Sequence, residues 1–130
     1  KAVYLPRIAE DFRLHFARWR PGDPLCENRY GIPEPQAARE LAAPDTFDLV
    51  IVPLLGFDGT GARLGSGAGY YDRAFEFKRE ARHARPRLAG YAYALQECAA
   101  IGSAVWDVPL DLVVTERGVT RFAPYPDPES

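Results

Sequence analysis

The predicted fold rests on residues 48–75, which read DLVIVPLLGFDGTGARLGSGAGYYDRAF. An apolar run, 48–55, precedes a loop, 56–69, that holds six glycines in fourteen positions, and a charged segment begins at Tyr70. Glycine costs roughly 0.5–1 kcal/mol relative to alanine inside regular structure, so a cluster indicates turns with positive φ or a ligand close to the backbone. The loop is therefore the first candidate for a binding site.

The segments on either side of the loop predict an α/β fold. Residues 48–55 are too few for a globular helix and rich in β-branched side chains, as in a strand buried on both faces by helices. Apolar residues at steps of four and three predict an amphipathic helix over 70–84 that ends before Pro86, with Lys78 among the basic residues on its other faces. The apolar positions are Tyr70, Ala74, Phe77, Ala81 and Ala84.

Further strands are predicted on both sides of this unit. A short apolar run at the start of 2–8 and alternating side chains in 11–19 predict two neighbouring strands. Apolar runs predict two more strands in 87–95 and 110–115, and 119–123 would complete a hairpin at a sheet edge.

Two segments predict loops or turns. The proline- and glycine-rich residues 21–35, PGDPLCENRYGIPEP, indicate an ordered loop, and 37–42 indicate at most a short helical turn. Asp58, in a Gly-Phe-Asp-Gly turn, is expected to close its own backbone through the carboxylate.

Length and composition limit the class of protein. The chain has 130 residues, 47% of them hydrophobic, which is enough for one core, so we predict one domain over 1–123 and a tail, 124–130. A formal net charge of -2, with Lys+Arg 16 against Asp+Glu 18, provides no basic surface for nucleic acid. We therefore expect no nucleic-acid partner. We also expect a monomer.

The cysteines and the lack of recognised export or membrane signals indicate the cellular compartment. Cys26 and Cys98 lie in no metal or redox spacing, and we expect reduced thiols that act as small buried hydrophobic residues. No apolar stretch reaches the ~18 residues of a membrane span and no leader is recognised, so a cytoplasmic protein is expected. Because no methionine occurs and the chain opens on a strand pattern, we expect that an N-terminal part of the domain is missing.

The glycine loop has the pattern of an anion site. Gly65, Gly67 and Gly69 lie just before the free N–H groups of the predicted helix, where phosphate is favoured, and Arg63 adds a cation with fork geometry. The sequence GSGAG matches neither the dinucleotide fingerprint nor the Lys-bearing P-loop. A connector whose glycines serve only turns remains the alternative.

Two aspartates are candidate metal ligands. Asp72 lies in the first turn of the predicted helix, where it could simply stabilise the helix dipole. A bare carboxylate would weaken phosphate binding there, and a Mg²⁺ ion between the two would remove the conflict. Asp111 opens a strand between two leucines, which is unusual for a charge unless it faces a site, although an edge or turn role is the alternative.

Tyr30 is the candidate for an aromatic ligand. It lies in NRYGIPEP beside Gly31 and near two prolines, a rigid platform on which a flat ring could stack. A loop aromatic that fills the core explains the same pattern equally well.

Together these motifs resemble one family. DLVIVPLLGFD, then GARLGSGAGYYDRAF, preceded by YGIPEP and followed by a Pro-Leu-Asp strand, is similar to the 5-formyltetrahydrofolate cyclo-ligase family, also called methenyltetrahydrofolate synthetase. The resemblance covers the chain from the first strand to Asp111. It implies a three-layer α/β/α sandwich around a mostly parallel sheet, as in ribose-phosphate isomerase-like and CoA-transferase-like folds.

The resemblance also implies an activity in one-carbon metabolism. Such an enzyme converts 5-formyltetrahydrofolate into 5,10-methenyltetrahydrofolate with ATP and Mg²⁺, releasing ADP and phosphate. The formyl oxygen attacks the γ-phosphate, the second folate nitrogen closes the ring and phosphate leaves. Phosphoryl transfer of this kind needs positioning and charge stabilisation more than protein acids or bases.

The family's site residues can be carried over by motif. Arg63 and Asp72 would be catalytic, Tyr30 and Tyr71 would contact the folate, and Asp72 and Asp111 would bind the metal. The ATP loop would comprise Arg63, Leu64, Gly65, Ser66, Gly67, Ala68, Gly69, Tyr70 and Tyr71.

This chain also departs from the family pattern. Members begin with a helix whose basic residues meet ATP, followed by an acidic residue that contacts folate, and neither precedes Lys1. Ser66 and Ala68 stand where some relatives carry basic residues. Two alternatives therefore stay open: a domain that binds nucleotide or folate without this catalysis, and a paralogue that acts on another formyl compound or a thiamine-related substrate.

Overall fold

The structure is a computed structural model of the 130-residue chain. It describes residues 1–36, 40–65, 67–79, 85–102 and 107–122. The chain divides into two compact units, Lys1–Thr46 and Phe47–Ser130, and the single domain expected over 1–123 stays a prediction.

The first unit is built from five short strands, and its main sheet has the order β1-β2-β5. The two predicted N-terminal strands are confirmed and pair antiparallel, with Leu5 opposite Ala17. The second strand begins at Leu14, so Phe12, predicted as a strand position, lies in the turn before it. Phe16 and Ala17 on the second strand are buried. The bounds are β1 Val3–Ile8, β2 Leu14–Trp19, β3 Leu25–Glu27, β4 Pro33–Pro35, β5 Leu41–Ala42 and a 3₁₀ helix Pro44–Thr46.

The predicted loop at 21–35 is wrong in one respect, since it contains the β3–β4 hairpin. Cys26 lies opposite Glu34 in this antiparallel pair, and the two prolines, Pro33 and Pro35, lie at its other paired positions. Proline removes only its own N–H donor, so a short two-stranded sheet can accept it. The predicted helical turn at 37–42 is replaced by β5 at Leu41–Ala42, while residues 37–39 lie outside the described residues.

The second unit contains a four-stranded sheet with the order β11-β10-β9-β6. Strand β9 pairs in parallel with both neighbours, β6 and β10, and β11 adds the predicted antiparallel hairpin at the edge. A small antiparallel pair, β7–β8, precedes the helix. The bounds are β6 Leu49–Val52, β7 Gly56–Phe57, β8 Arg63–Leu64, α1 Tyr70–Ala74, β9 Arg87–Tyr91, β10 Leu112–Thr115, β11 Gly118–Arg121 and the 3₁₀ helices Glu76–Arg79 and Ala94–Gln96.

Strand β6 is buried on one face, not on both as predicted. Val50 and Val52 are buried, whereas Leu49 and Ile51 are 55% and 57% exposed. Successive side chains of a strand point to opposite faces, and here one face only is packed. The apolar run therefore predicted the strand correctly and its burial incorrectly.

The predicted helix over 70–84 is also shorter in the structure. Helix α1 ends at Ala74, and the chain continues as a 3₁₀ helix, Glu76–Arg79, in which the Lys78 N–H donates to the Phe75 carbonyl. The positions 81 and 84 of the predicted apolar stripe lie outside the described residues. The tighter turn brings Lys78, expected on an exposed face, into the interior, where it is 2% exposed.

A buried ion pair accounts for the position of Lys78. Its Nζ donates to Asp111 Oδ2 at 2.6 Å and to the Pro86 carbonyl at 2.5 Å. The same carboxylate oxygen accepts the Leu88 N–H from β9 at 2.8 Å. The pair thus joins the segment after α1 to the sheet.

Asp58 forms the predicted turn and is confirmed in that role. Its carboxylate accepts four hydrogen bonds, from the Thr60 hydroxyl and from the N–H groups of Thr60, Ala62 and Ile101. Burial alone would raise the pKa of Asp58, but these hydrogen bonds outweigh it and hold the pKa below its ordinary value of 3.8.

The fold is mixed α/β, and among the described residues strands predominate. Both thiols are free, but Cys26 and Cys98 are exposed, so their expected burial is wrong. Within the described part of the chain, no helix is long and apolar enough to cross a membrane.

Removing one partner of the buried ion pair should destabilise the protein strongly. We expect Lys78→Met to cost about 3–5 kcal/mol of unfolding free energy, because it leaves the Asp111 charge buried and unpaired. The double variant Lys78→Met/Asp111→Asn should lose less unfolding free energy than Lys78→Met alone, since the neutral amide can still accept the Leu88 N–H. Urea denaturation measures both, and a double variant less stable than Lys78→Met would contradict the role of the charge.

Stability should also depend on Asp58 in acid. Because the folded pKa is lowered, its contribution is complete above the ordinary value of 3.8 and declines as the pH falls through the folded pKa. Asp58→Asn should lower the unfolding free energy by about 1–3 kcal/mol at pH 7, since the NH₂ group of the amide would face an N–H donor and could not accept its hydrogen bond. The Tm of this variant should depend less on pH between pH 5 and roughly pH 2 than that of the wild type. Glu97→Gln, which removes an exposed carboxylate of the same unit, should keep the wild-type dependence of Tm on pH.

Candidate functional site

The predicted loop, 56–69, is partly wrong, because the strand pair β7–β8 occupies its first part. The glycine loop proper lies between strand β8 and helix α1. Gly67 and Gly69 adopt positive φ angles of 95° and 72°, and Gly69 is the residue before the helix. These conformations are strained for other residues, so both glycines are required by the turn itself. Leu64 and Ala68 are exposed on either side, and Ser66 lies outside the described residues.

Arg63 is held at the base of the loop. Its side chain is 10% exposed, and its two terminal nitrogens lie 3.4 Å from the Pro53 carbonyl and 3.4 Å from Asp72 Oδ1. The guanidinium carbon lies 5.9 Å from the centre of the Tyr71 ring. These long contacts position the cation without using its full hydrogen-bonding capacity.

Gly65 is required by the position of Arg63. A Cβ atom at residue 65 would lie 2.8 Å from Arg63 Nη1, closer than real Cβ contacts. Gly65 has no positive φ, so its role is space for the guanidinium and not the turn. This packing role of Gly65 was not predicted from the sequence, where all three loop glycines were expected to serve phosphate binding.

Asp72 is the carboxylate of the loop. Its Oδ1 accepts the Val108 N–H at 2.9 Å in addition to the contact from Arg63, and its side chain is 19% exposed. No group of three His, Cys, Asp or Glu side chains that could hold a metal occurs among the described residues. One carboxylate suits a Mg²⁺ ion whose other ligands are phosphate oxygens and water, so Asp72 fits a metal that arrives with a nucleotide.

Asp111, the second predicted metal ligand, has different surroundings. It is 2% exposed and its Oδ2 is engaged by Lys78 and by the Leu88 N–H. An ammonium group at 2.6 Å repels a divalent cation, so the geometry favours the structural role for this residue. The two aspartates are therefore not equivalent in the structure.

Arg73 lies in helix α1 and contacts the glycine loop, a role that was not predicted from the sequence. Its Nη1 donates to the Ala68 carbonyl at 2.8 Å, and its guanidinium lies 5.1 Å from the Tyr70 ring centre. It follows Gly69 by four positions, so one helical turn brings it back to the loop. That four-residue spacing is the sequence pattern from which the contact of Arg73 with the loop could have been predicted.

Tyr71 forms the apolar side of the site. Its ring stacks on the fully buried Phe75, with centroids 6.4 Å apart and planes 16° apart. Burial raises the pKa of Tyr71, and the charge of Arg63 partly opposes that rise. The phenol is therefore neutral at physiological pH and able to donate a hydrogen bond.

Tyr30 lies in the first unit, at the tip of the β3–β4 hairpin. The residue is 55% exposed, which excludes the alternative that it fills the core. The Tyr30 N–H donates to Asn28 Oδ1 at 2.8 Å, so the backbone of the tip is fixed. The residue is placed as an exposed aromatic platform.

Comparison with known proteins gives one consistent family. Residues 1–116 match the model of the 5-formyltetrahydrofolate cyclo-ligase family. The 5-formyltetrahydrofolate cyclo-ligase of Escherichia coli K12 is 36% identical over 126 residues, which cover 94% of this chain and 67% of that protein. The protein of the same description from Haemophilus influenzae is 36% identical over 119 residues, covering 88% of this chain and 62% of the relative.

A solved structure agrees with the sequence relatives. The NMR structure of Aquifex aeolicus 5,10-methenyltetrahydrofolate synthetase superposes with a TM-score of 0.77 at 31% identity, and covers 100% of this chain and 63% of that one. The chain thus spans about two thirds of the length of the relatives that it matches.

Gly65→Ala should separate the role of Arg63 from that of the fold. The added methyl must displace the flexible end of Arg63, so we expect the unfolding free energy to stay within about 0.5 kcal/mol of the wild type and the affinity for ATP to fall roughly tenfold. Calorimetric titration measures the affinity. Gly59→Ala, where a Cβ meets nothing within 4 Å and φ is not positive, is the matched control and should bind as wild type does.

Proposed function

We propose, on the premise that this chain belongs to the 5-formyltetrahydrofolate cyclo-ligase family, that it converts 5-formyltetrahydrofolate into 5,10-methenyltetrahydrofolate with ATP and Mg²⁺. The observation that carries the proposal is the loop from Arg63 to Asp72. Within ten residues it provides a cation, glycines with positive φ and a carboxylate that fits a nucleotide-bound metal. These are the groups that phosphoryl transfer requires.

The proposed reaction balances without a further co-reactant. The formyl oxygen attacks the γ-phosphorus of ATP and ADP leaves. The second folate nitrogen, N10, then attacks the formyl carbon, loses its proton, and the C–O bond to phosphate breaks. The products are the methenyl compound, ADP and phosphate.

In this proposal each loop residue has one task. The backbone around Gly67 and Gly69 surrounds the phosphates, and Arg63 stabilises the charge that develops during transfer. Asp72 would hold a bound Mg²⁺, which supplies charge neutralisation on the phosphate oxygens. Tyr71 would donate a hydrogen bond from its phenol to a ligand, and Tyr30 would stack on the flat ring of the folate.

We propose the finer features of the fold and of its setting on the same premise. The parallel pairs β6–β9 and β9–β10 support a three-layer α/β/α arrangement around this sheet. We also propose a monomer in the cytoplasm that binds small molecules and no nucleic acid or membrane. The net charge of -2 supports the exclusion of nucleic acid.

The direct test is the reaction itself. The protein is incubated with 5-formyltetrahydrofolate, ATP and Mg²⁺, and the near-ultraviolet absorbance of the methenyl product is followed. We expect a rise that requires both ATP and the metal. Nucleotide or folate binding without any rise would favour a binding protein, and turnover of another formyl or thiamine-related compound alone would favour the paralogue.

Asp72→Asn should lower kcat/KM at least 100-fold in this assay, because the amide is a poor ligand for Mg²⁺. The amide oxygen can still accept the Val108 N–H, so the unfolding midpoint should change little. Asp45→Asn, at an exposed carboxylate in the 3₁₀ helix Pro44–Thr46, is the control for lost charge. Full activity of Asp72→Asn would remove the proposed metal role.

A further inference from the structure

A cluster of Phe12, Arg29 and Tyr30 lies on the surface of the first unit. The Arg29 guanidinium carbon is 4.7 Å from the Phe12 ring centre and 5.9 Å from the Tyr30 ring centre. Phe12 and Tyr30 are 53% and 55% exposed. Two aromatic rings therefore contact one cation, and both residues are more than half exposed to solvent.

Phe12 is held in an unfavourable backbone conformation at this place. Its φ is 60°, in the left-handed region that aromatic residues avoid, and its N–H donates to the Ala9 carbonyl in the β1–β2 turn. Such conformations are strained for residues with a side chain and concentrate at functional positions. The turn presents the ring toward Arg29 despite this strain.

The other side of the cluster is fixed by Asn28. Its Oδ1 accepts the N–H groups of Tyr30 and Ile32, at 2.8 and 3.2 Å. Its Nδ2 donates to Glu34 Oε2, which also accepts the Ile8 N–H from β1. The buried Glu34 thus ties the hairpin tip to the neighbouring strand and orders Tyr30 before any ligand binds.

Arg29 has unused hydrogen-bonding capacity. In the part of the chain that the structure describes, its guanidinium makes the two ring contacts and no ion pair or hydrogen bond. Stacking occupies the faces of a guanidinium and leaves the five N–H donors at its edge free. That edge matches a carboxylate in bidentate geometry.

We propose that Arg29 binds a carboxylate of the substrate's glutamate tail, while Tyr30 and Phe12 contact its aromatic part. The inference rests on the proposed function and adds the residue that distinguishes folates by their tails. An aromatic ring system joined to a carboxylate tail matches adjacent rings and a free guanidinium edge. Arg29 is thus a determinant of affinity and has no part in the chemical step.

The test compares three substrates on Arg29→Gln: 5-formyltetrahydropteroate, which has no glutamate, and 5-formyltetrahydrofolate with one and with three glutamates. We expect KM to rise about tenfold or more for the two glutamate forms, as for the loss of a charge-assisted hydrogen bond. The KM for the pteroate, the KM for MgATP and kcat should all stay within twofold. Arg29→Lys should lie between the wild type and Arg29→Gln, since it keeps the charge and loses the fork.

Arg13→Gln is the matched control, because it removes an equal charge from an exposed position next to Phe12. Equal KM changes for all three substrates would overturn the inference and indicate a general effect on the platform. A changed KM for MgATP alone would overturn it in favour of phosphate at Arg29. A wild-type protein that neither binds nor converts any of the three would overturn the proposed function itself, whereas an active wild type with an unaffected Arg29→Gln would overturn this inference alone.

Discussion

The second unit depends on a lysine and an aspartate that meet in its interior. Removing two charges from water costs several kcal/mol for each, so such a pair is tolerated only when its hydrogen bonds are complete. Here Lys78 contacts Asp111 and the Pro86 carbonyl, and Asp111 also accepts the Leu88 N–H. The contacts connect the segment after α1 with strands β9 and β10. The segment that follows the glycine loop and α1 is therefore attached to the sheet by directional hydrogen bonds, which apolar packing alone would not provide.

The loop itself is built from two kinds of glycine. Gly67 and Gly69 permit left-handed turns, while Gly65 leaves room for the guanidinium of Arg63. That cation and Asp72 face each other at 3.4 Å, and each has the chemistry to take a different part of a metal nucleotide. The backbone N–H of Val108 fixes the carboxylate from outside the loop. Site geometry thus arises from the loop, the helix and a distant segment together.

Local patterns predicted the parts of the fold that depend on neighbouring residues. The alternation in 11–19 and the short, β-branched apolar run in 48–55 predicted strands correctly because both patterns are properties of the segment itself. Burial was harder to predict, as Ile51 and Cys98 show, because it depends on what packs from elsewhere. The hairpin in 21–35 was missed because prolines were taken to exclude pairing altogether, whereas they remove single donors.

The same limit explains why the two candidate metal ligands could not be separated from the sequence. Both Asp72 and Asp111 stand beside apolar residues, and both carry one carboxylate. Their difference lies in partners that are remote in sequence: Lys78 is 33 positions from Asp111, and Val108 is 36 positions from Asp72. A helical period placed Lys78 on an exposed face, but the 3₁₀ helix rotates it inward, and only then does Asp111 gain its cation. Asp72 has a longer, partly exposed contact to Arg63 instead, which is compatible with the metal role proposed for it.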